Sequence, residues 1–160
     1  MRLLRRFLRL APDERRILVR ATVLLAVIHV GLGRLPFTML RRLVTSRRRR
    51  APLVAGNRAL ADQVVWAVTA ASDRIPGPPT CLSRALTVQS MLVRRGYPSR
   101  LHVGVARGKQ GKVEGHAWVE SEGRILIGGT ASNIGQFTRL AAFDVEPPLE
   151  LPAVGTPQGR

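Results

Sequence analysis

The apolar pattern of this chain changes period once, and the change bounds the folds open to it. Up to about residue 95 the apolar residues recur at helical spacing. Past residue 99 the period becomes two, with Leu101, Val103 and Val105 alternating with His102, Gly104 and Ala106. Gly96 and Pro98 mark the join, a left-handed stop followed by a residue that cannot continue a helix. Helices first and an antiparallel meander afterwards predict an α+β fold.

Within the helical part, residues 1–10 place apolar side chains at 3, 4, 7, 8 and 10 with arginines opposite. Pro12, Asp13 and Glu14 suit the first turn of a second helix over 12–32. Pro36 permits a short helix to Val44, and the arginine run at 47–50 reads as a solvated connector. A fourth helix is expected over 58–71, stopped by Ile75-Pro76-Gly77-Pro78-Pro79. Thr80 then caps a helix from Cys81 to about residue 95. Strands are expected over 101–106, 112–120 and 124–127, with turns at 108–111 and 121–123. The predicted organisation is a helical, arginine-rich lobe over 1–50, a mixed helix-and-strand core over 51–145 and a proline-rich, disordered tail over 146–160.

At 160 residues and 45% hydrophobic content, the chain can bury a real core. Its formal charge of +16 is concentrated in residues 1–50, which hold fourteen arginines against two acids. Only two of its 26 basic residues are lysines, so arginine preference belongs to the composition as a whole and does not by itself indicate nucleic acid. A basic end still attracts phosphates or anionic lipid, which leaves weak association with a membrane surface open. The longest apolar stretch, 21–32, is too short to cross a bilayer, and the N-terminus has no signal-peptide pattern. The expected location is cytoplasmic. One cysteine excludes an internal disulfide and a cysteine-rich zinc site, and neither a metal nor a cofactor is expected.

That cysteine, Cys81, falls at a predicted helix start. Thiolate is the nucleophilic form, and unpaired backbone N–H groups at a helix N-terminus favour negative charge. The same groups can hold the oxyanion of a tetrahedral intermediate. His116 lies in the alternating segment Gly115-His116-Ala117-Trp118-Val119-Glu120, placed to take the thiol proton and return it to a leaving amine. The plain alternative makes Cys81 a small buried hydrophobe and His116 a structural or surface residue. His102 and His29 read as bland, His29 as a satisfied core histidine.

Taken together, Cys81-Leu82-Ser83-Arg84-Ala85-Leu86, the run from Arg94 into the strand at Val105, Gly115–Glu120 and Gly123-Arg124-Ile125-Leu126-Ile127-Gly128-Gly129 resemble the transglutaminase-like B protein of lasso-peptide biosynthesis. The closer resemblance is to its stand-alone peptidase half, the B2 protein, related to the C-terminal domain of the microcin J25-processing protein. The match covers roughly residues 58–130, and the segment around Leu35-Pro36-Phe37 is similar to that family's N-terminal lobe.

The resemblance implies a papain-like or transglutaminase-like core and a cysteine peptidase that removes the leader from a ribosomally made precursor. It implies Cys81 as nucleophile, His116 as general base and then acid, Arg84 as a structural or substrate-orienting residue, and Trp118 packed beside the histidine. The implied partners are the precursor leader, a small leader-recognition protein and an ATP-dependent lasso cyclase, with no nucleic acid. Family members often carry an acid about twelve residues after the histidine, where this chain has Gly128. Glu120 is a poor substitute, because four residues of strand span ~13 Å. Asn133 or Ser132 is left as a third member, or else a dyad. Two other readings stay open: acyl transfer to an amine through the same thioester, and an inactive interaction module with a basic lobe.

Overall fold

The computed structural model describes residues 10–45, 57–77, 79–107 and 112–144. Four helices precede the sheet: α1 (Pro12–Leu32), α2 (Phe37–Thr45), α3 (Arg58–Ser72) and α4 (Cys81–Val93). Strands β1 (Arg100–Arg107), β2 (Val113–Ser121) and β3 (Arg124–Ile127) follow, then a single-turn helix α5 (Ala131–Ile134) and strand β4 (Thr138–Asp144). The four strands form one antiparallel sheet in the order β3-β2-β1-β4. The α+β class and the five long elements from 12 to 107 therefore lie where periodicity put them.

Local chemistry accounts for the boundaries. At the start of α1, the Glu14 carboxylate accepts the Ala11 backbone N–H at 2.9 Å, and Pro12 fills the first position, where an N–H has no partner to lose. Asn57 caps α3 by accepting from the Leu60 N–H at 3.0 Å. Thr80 caps α4: its hydroxyl oxygen accepts from the Ser83 N–H at 3.2 Å, while the Ser83 hydroxyl donates to the Thr80 carbonyl at 2.9 Å. The β2–β3 turn passes through Glu122 and Gly123, both at positive φ (50° and 73°). That is the backbone a two-residue hairpin favours.

The core lies between the helices and one face of the sheet. Helix α4 is central, packed by α1, α3 and β2, and every residue from Ala85 to Val93 is buried. Leu25 and Ile28 of α1, Val64 and Val68 of α3, Leu86 and Leu92 of α4 and Leu101 and Val119 of the sheet belong to one apolar cluster with essentially no exposure. The lobe's main helix and the part bearing Cys81 thus share a core. Gln89, buried inside it, donates to the Phe143 carbonyl at 2.8 Å and ties α4 to β4.

Three features depart from the sequence reading or lie beyond it. Helix α5 and strand β4 were not expected, and β4 turns a three-stranded meander into a four-stranded sheet. His29 is partly buried in the last turn of α1 and is not a core histidine. The helix expected over 1–10, the arginine connector, the turn at 108–111, the boundary at residue 50 and the tail over 146–160 fall wholly or mostly outside the described residues.

Candidate active site

The N-cap at Thr80 starts α4 at Cys81, so the thiol stands in the first turn at the positive end of the helix. Cys81 is a free, partly exposed cysteine. Arg84 follows one turn later on the same side of the helix, the spacing at which helical neighbours face one another.

His116 comes from mid-β2, paired across to Gly104 of β1. Its neighbours Ala117 and Val119 join the apolar core with the helices, so alternation sends His116 and Trp118 to the other face of the sheet. On that face Trp118 is fully buried and stacks with His102, ring centroids 5.3 Å apart. The His116 ring lies 6.3 Å from Trp118 and 4.9 Å from Phe137, stacked on both. Phe137, just ahead of β4, is a contact that sequence reading missed.

Cys81 and His116 line one cleft of about 380 Å³ without a hydrogen bond between them. Cys81, Arg84, His116, Gly128, Asn133 and Phe137 are among its lining residues. Of the two side chains expected as a third member, Asn133 lines the cleft, whereas the Ser132 hydroxyl is hydrogen-bonded to the Thr130 hydroxyl at 2.9 Å. Neither is the hydrogen-bond partner of His116. That partner is the backbone carbonyl of Gly128, which bonds Nε2 of the ring. A carbonyl only accepts, so Nε2 carries the proton, and in the neutral ring the lone pair lies on Nδ1.

Position 128 has no space for the acid it was compared with. Gly128 sits at φ 101°, and a Cβ there would lie 2.6 Å from the Ala117 carbonyl oxygen and the Trp118 Cβ. Glu120 is engaged elsewhere, 3.4 Å from His102 and 3.6 Å from Arg139. The ring is therefore held by a backbone acceptor at the position where a carboxylate was looked for.

The family model described as the transglutaminase-like superfamily matches residues 4–142. The chain belongs to the transglutaminase-like superfamily. That membership spans both the helical lobe and the sheet, and it points to activity of the cysteine-hydrolase or acyl-transferase type. No curated protein and no solved structure matches this transglutaminase-like chain significantly. Among the described residues, no group of three or more His, Cys, Asp or Glu is placed to hold a metal ion, and no helix is long and apolar enough to cross a membrane.

Proposed function

We propose that this transglutaminase-like protein is a cysteine peptidase that cuts the leader from a lasso-type precursor peptide, with Cys81 as nucleophile and His116 as its base. The observation that carries the reading is the shared cleft of Cys81 and His116, in a chain whose motifs around both residues resemble the lasso B2 peptidase. In this mechanism His116 Nδ1 takes the Cys81 proton and Sγ attacks the scissile carbonyl. N–H groups of the first turn of α4 hold the oxyanion. As the C–N bond breaks, the imidazolium returns the proton to the leaving amine. Water, deprotonated by His116, then attacks the thioester and frees the leader as a carboxylate.

The Gly128 carbonyl supports the same cycle by fixing the ring tautomer and by accepting from the imidazolium when it forms. The leader is delivered by a small recognition protein, and the freed amine is passed to an ATP-dependent cyclase. The arginine-rich N-terminal part of the sequence contributes basic charge for docking, and the reaction proceeds in the cytoplasm without a cofactor.

The test is to incubate the protein with leader-bearing lasso precursors, with and without a leader-recognition protein, and to follow the products by mass spectrometry. Release of intact leader by the wild type and not by Cys81→Ala supports the reading. Added hydroxylamine distinguishes the alternative: diversion of the leader to a hydroxamate at the expense of acid traps the thioester, and exclusive transfer to amines without hydrolysis would make the protein an acyl transferase. No cleavage of any precursor under these conditions would remove the peptidase assignment.

A further inference from the structure

Arg84 lines the same cleft as Cys81, and among the described residues nothing is bonded to its side chain. It is partly buried; its Nε is shut off from solvent and has no hydrogen-bond partner. No described carboxylate pairs with it, and none is among the residues lining the cleft. Several other arginines have partners for part of the fork, although the Nε atoms of Arg15 and Arg94 are, like that of Arg84, buried without one. Arg124 pairs with Asp62, Arg139 with Glu120, and Arg94 donates to the Val44 carbonyl at 3.0 Å. Withdrawing even one N–H of a guanidinium from water without a partner has a cost. A planar fork of donors on a cleft wall matches a carboxylate in particular.

We propose that Arg84 binds a carboxylate carried by the substrate next to the carbonyl that Cys81 attacks, so the site selects an acidic residue at that point. The inference rests on Cys81 being the reacting group, and it adds a substrate class that the peptidase reading leaves open. Arg84 occupies the turn after the nucleophile, so a carboxylate held there lies within one helical turn of the reacting sulfur. The electropositive helix start adds to the attraction.

Two thiol reagents that differ only in charge test this without knowledge of the substrate. Iodoacetate and iodoacetamide alkylate Cys81 by the same displacement, in which sulfur gains the carboxymethyl or carbamoylmethyl group and iodide leaves. The ratio of their rates cancels changes in the thiol itself. With N-acetylcysteine as the reference, the wild type is expected to raise the iodoacetate-to-iodoacetamide ratio about tenfold, the worth of one charge-assisted hydrogen bond. Arg84→Gln should return the ratio to the reference, and Arg84→Lys should keep part of it.

A wild-type ratio equal to the reference, or a raised ratio that survives Arg84→Gln, would overturn the proposal. Loss of fast labelling by both reagents with the ratio still raised would instead count against the Cys81–His116 pair and leave Arg84 standing. A peptidyl chloromethyl ketone ending in aspartate, compared with its asparagine counterpart, then tests the acidic residue itself. Preference for aspartate assigns an acidic side chain. Equal rates would overturn the selection of an acidic residue.

Discussion

Replacing Gly128 by alanine perturbs the site at its narrowest point. The added Cβ meets the Ala117 carbonyl oxygen and the Trp118 Cβ at 2.6 Å and the Trp118 Cα at 2.7 Å. These are backbone and inner side-chain atoms of a strand inside the sheet, so no flexible tip can swing away. The φ of 101° adds a conformational cost of about 1–3 kcal/mol for a residue with a side chain. Overpacking of this kind adds about 1–3 kcal/mol more. The expected loss is therefore about 2–6 kcal/mol, a large share of the stability of a small domain.

Urea unfolding followed by circular dichroism should show the midpoint falling by on the order of 1 M or more, with m of about 1–3 kcal/mol/M unchanged. Because Gly128 also presents the acceptor for His116 Nε2, the variant that remains folded should react more slowly at Cys81. Gly128→Asp, which supplies an acid at this position, should behave no better, since the clash precedes any benefit from charge. An unshifted midpoint for Gly128→Ala, or faster Cys81 chemistry in Gly128→Asp, would refute the argument.

Trp118→Ala empties the site of the largest fully buried side chain and should cost about 3–5 kcal/mol in urea unfolding; a loss under 1 kcal/mol would mean that the face carrying His102 and His116 is not packed as described. Thr80→Ala removes the cap of α4 and should lower stability by about 1 kcal/mol, measurable as a midpoint shift against the wild type. Asp62→Ala breaks an ion pair whose side chains are 46% and 60% exposed, so thermal unfolding should register at most about 1 kcal/mol.

The fold was legible wherever a pattern was local. The proline block at 76–79 and the cap at Thr80 fix the start of α4, and alternation fixes β1 and β2. Strand β4 was not legible, because an edge strand buries little. Leu140 is 64% exposed, and the pairing of β4 with β1 shifts register between Val103 and Gly104, which blurs any period of two. Cys81 and His116 stood out because each sits in a short motif on a regular element. The Gly128 carbonyl did not, since a backbone acceptor carries no side-chain signature; its only trace was the pair Gly128-Gly129 where an acid was sought. The stacking of Phe137 on His116 depended in the same way on a return of the chain after α5 that no periodicity announced.

The central claim is that Cys81 and His116 act as nucleophile and base, and alkylation of the folded protein with iodoacetamide between pH 5 and 9 tests it most directly. The account predicts rapid labelling of Cys81 already at pH 6–7 in the wild type, lost in a folded His116→Ala variant. Labelling that rises only where a free thiol ionises, near pH 8.5, and is the same in both proteins would contradict it.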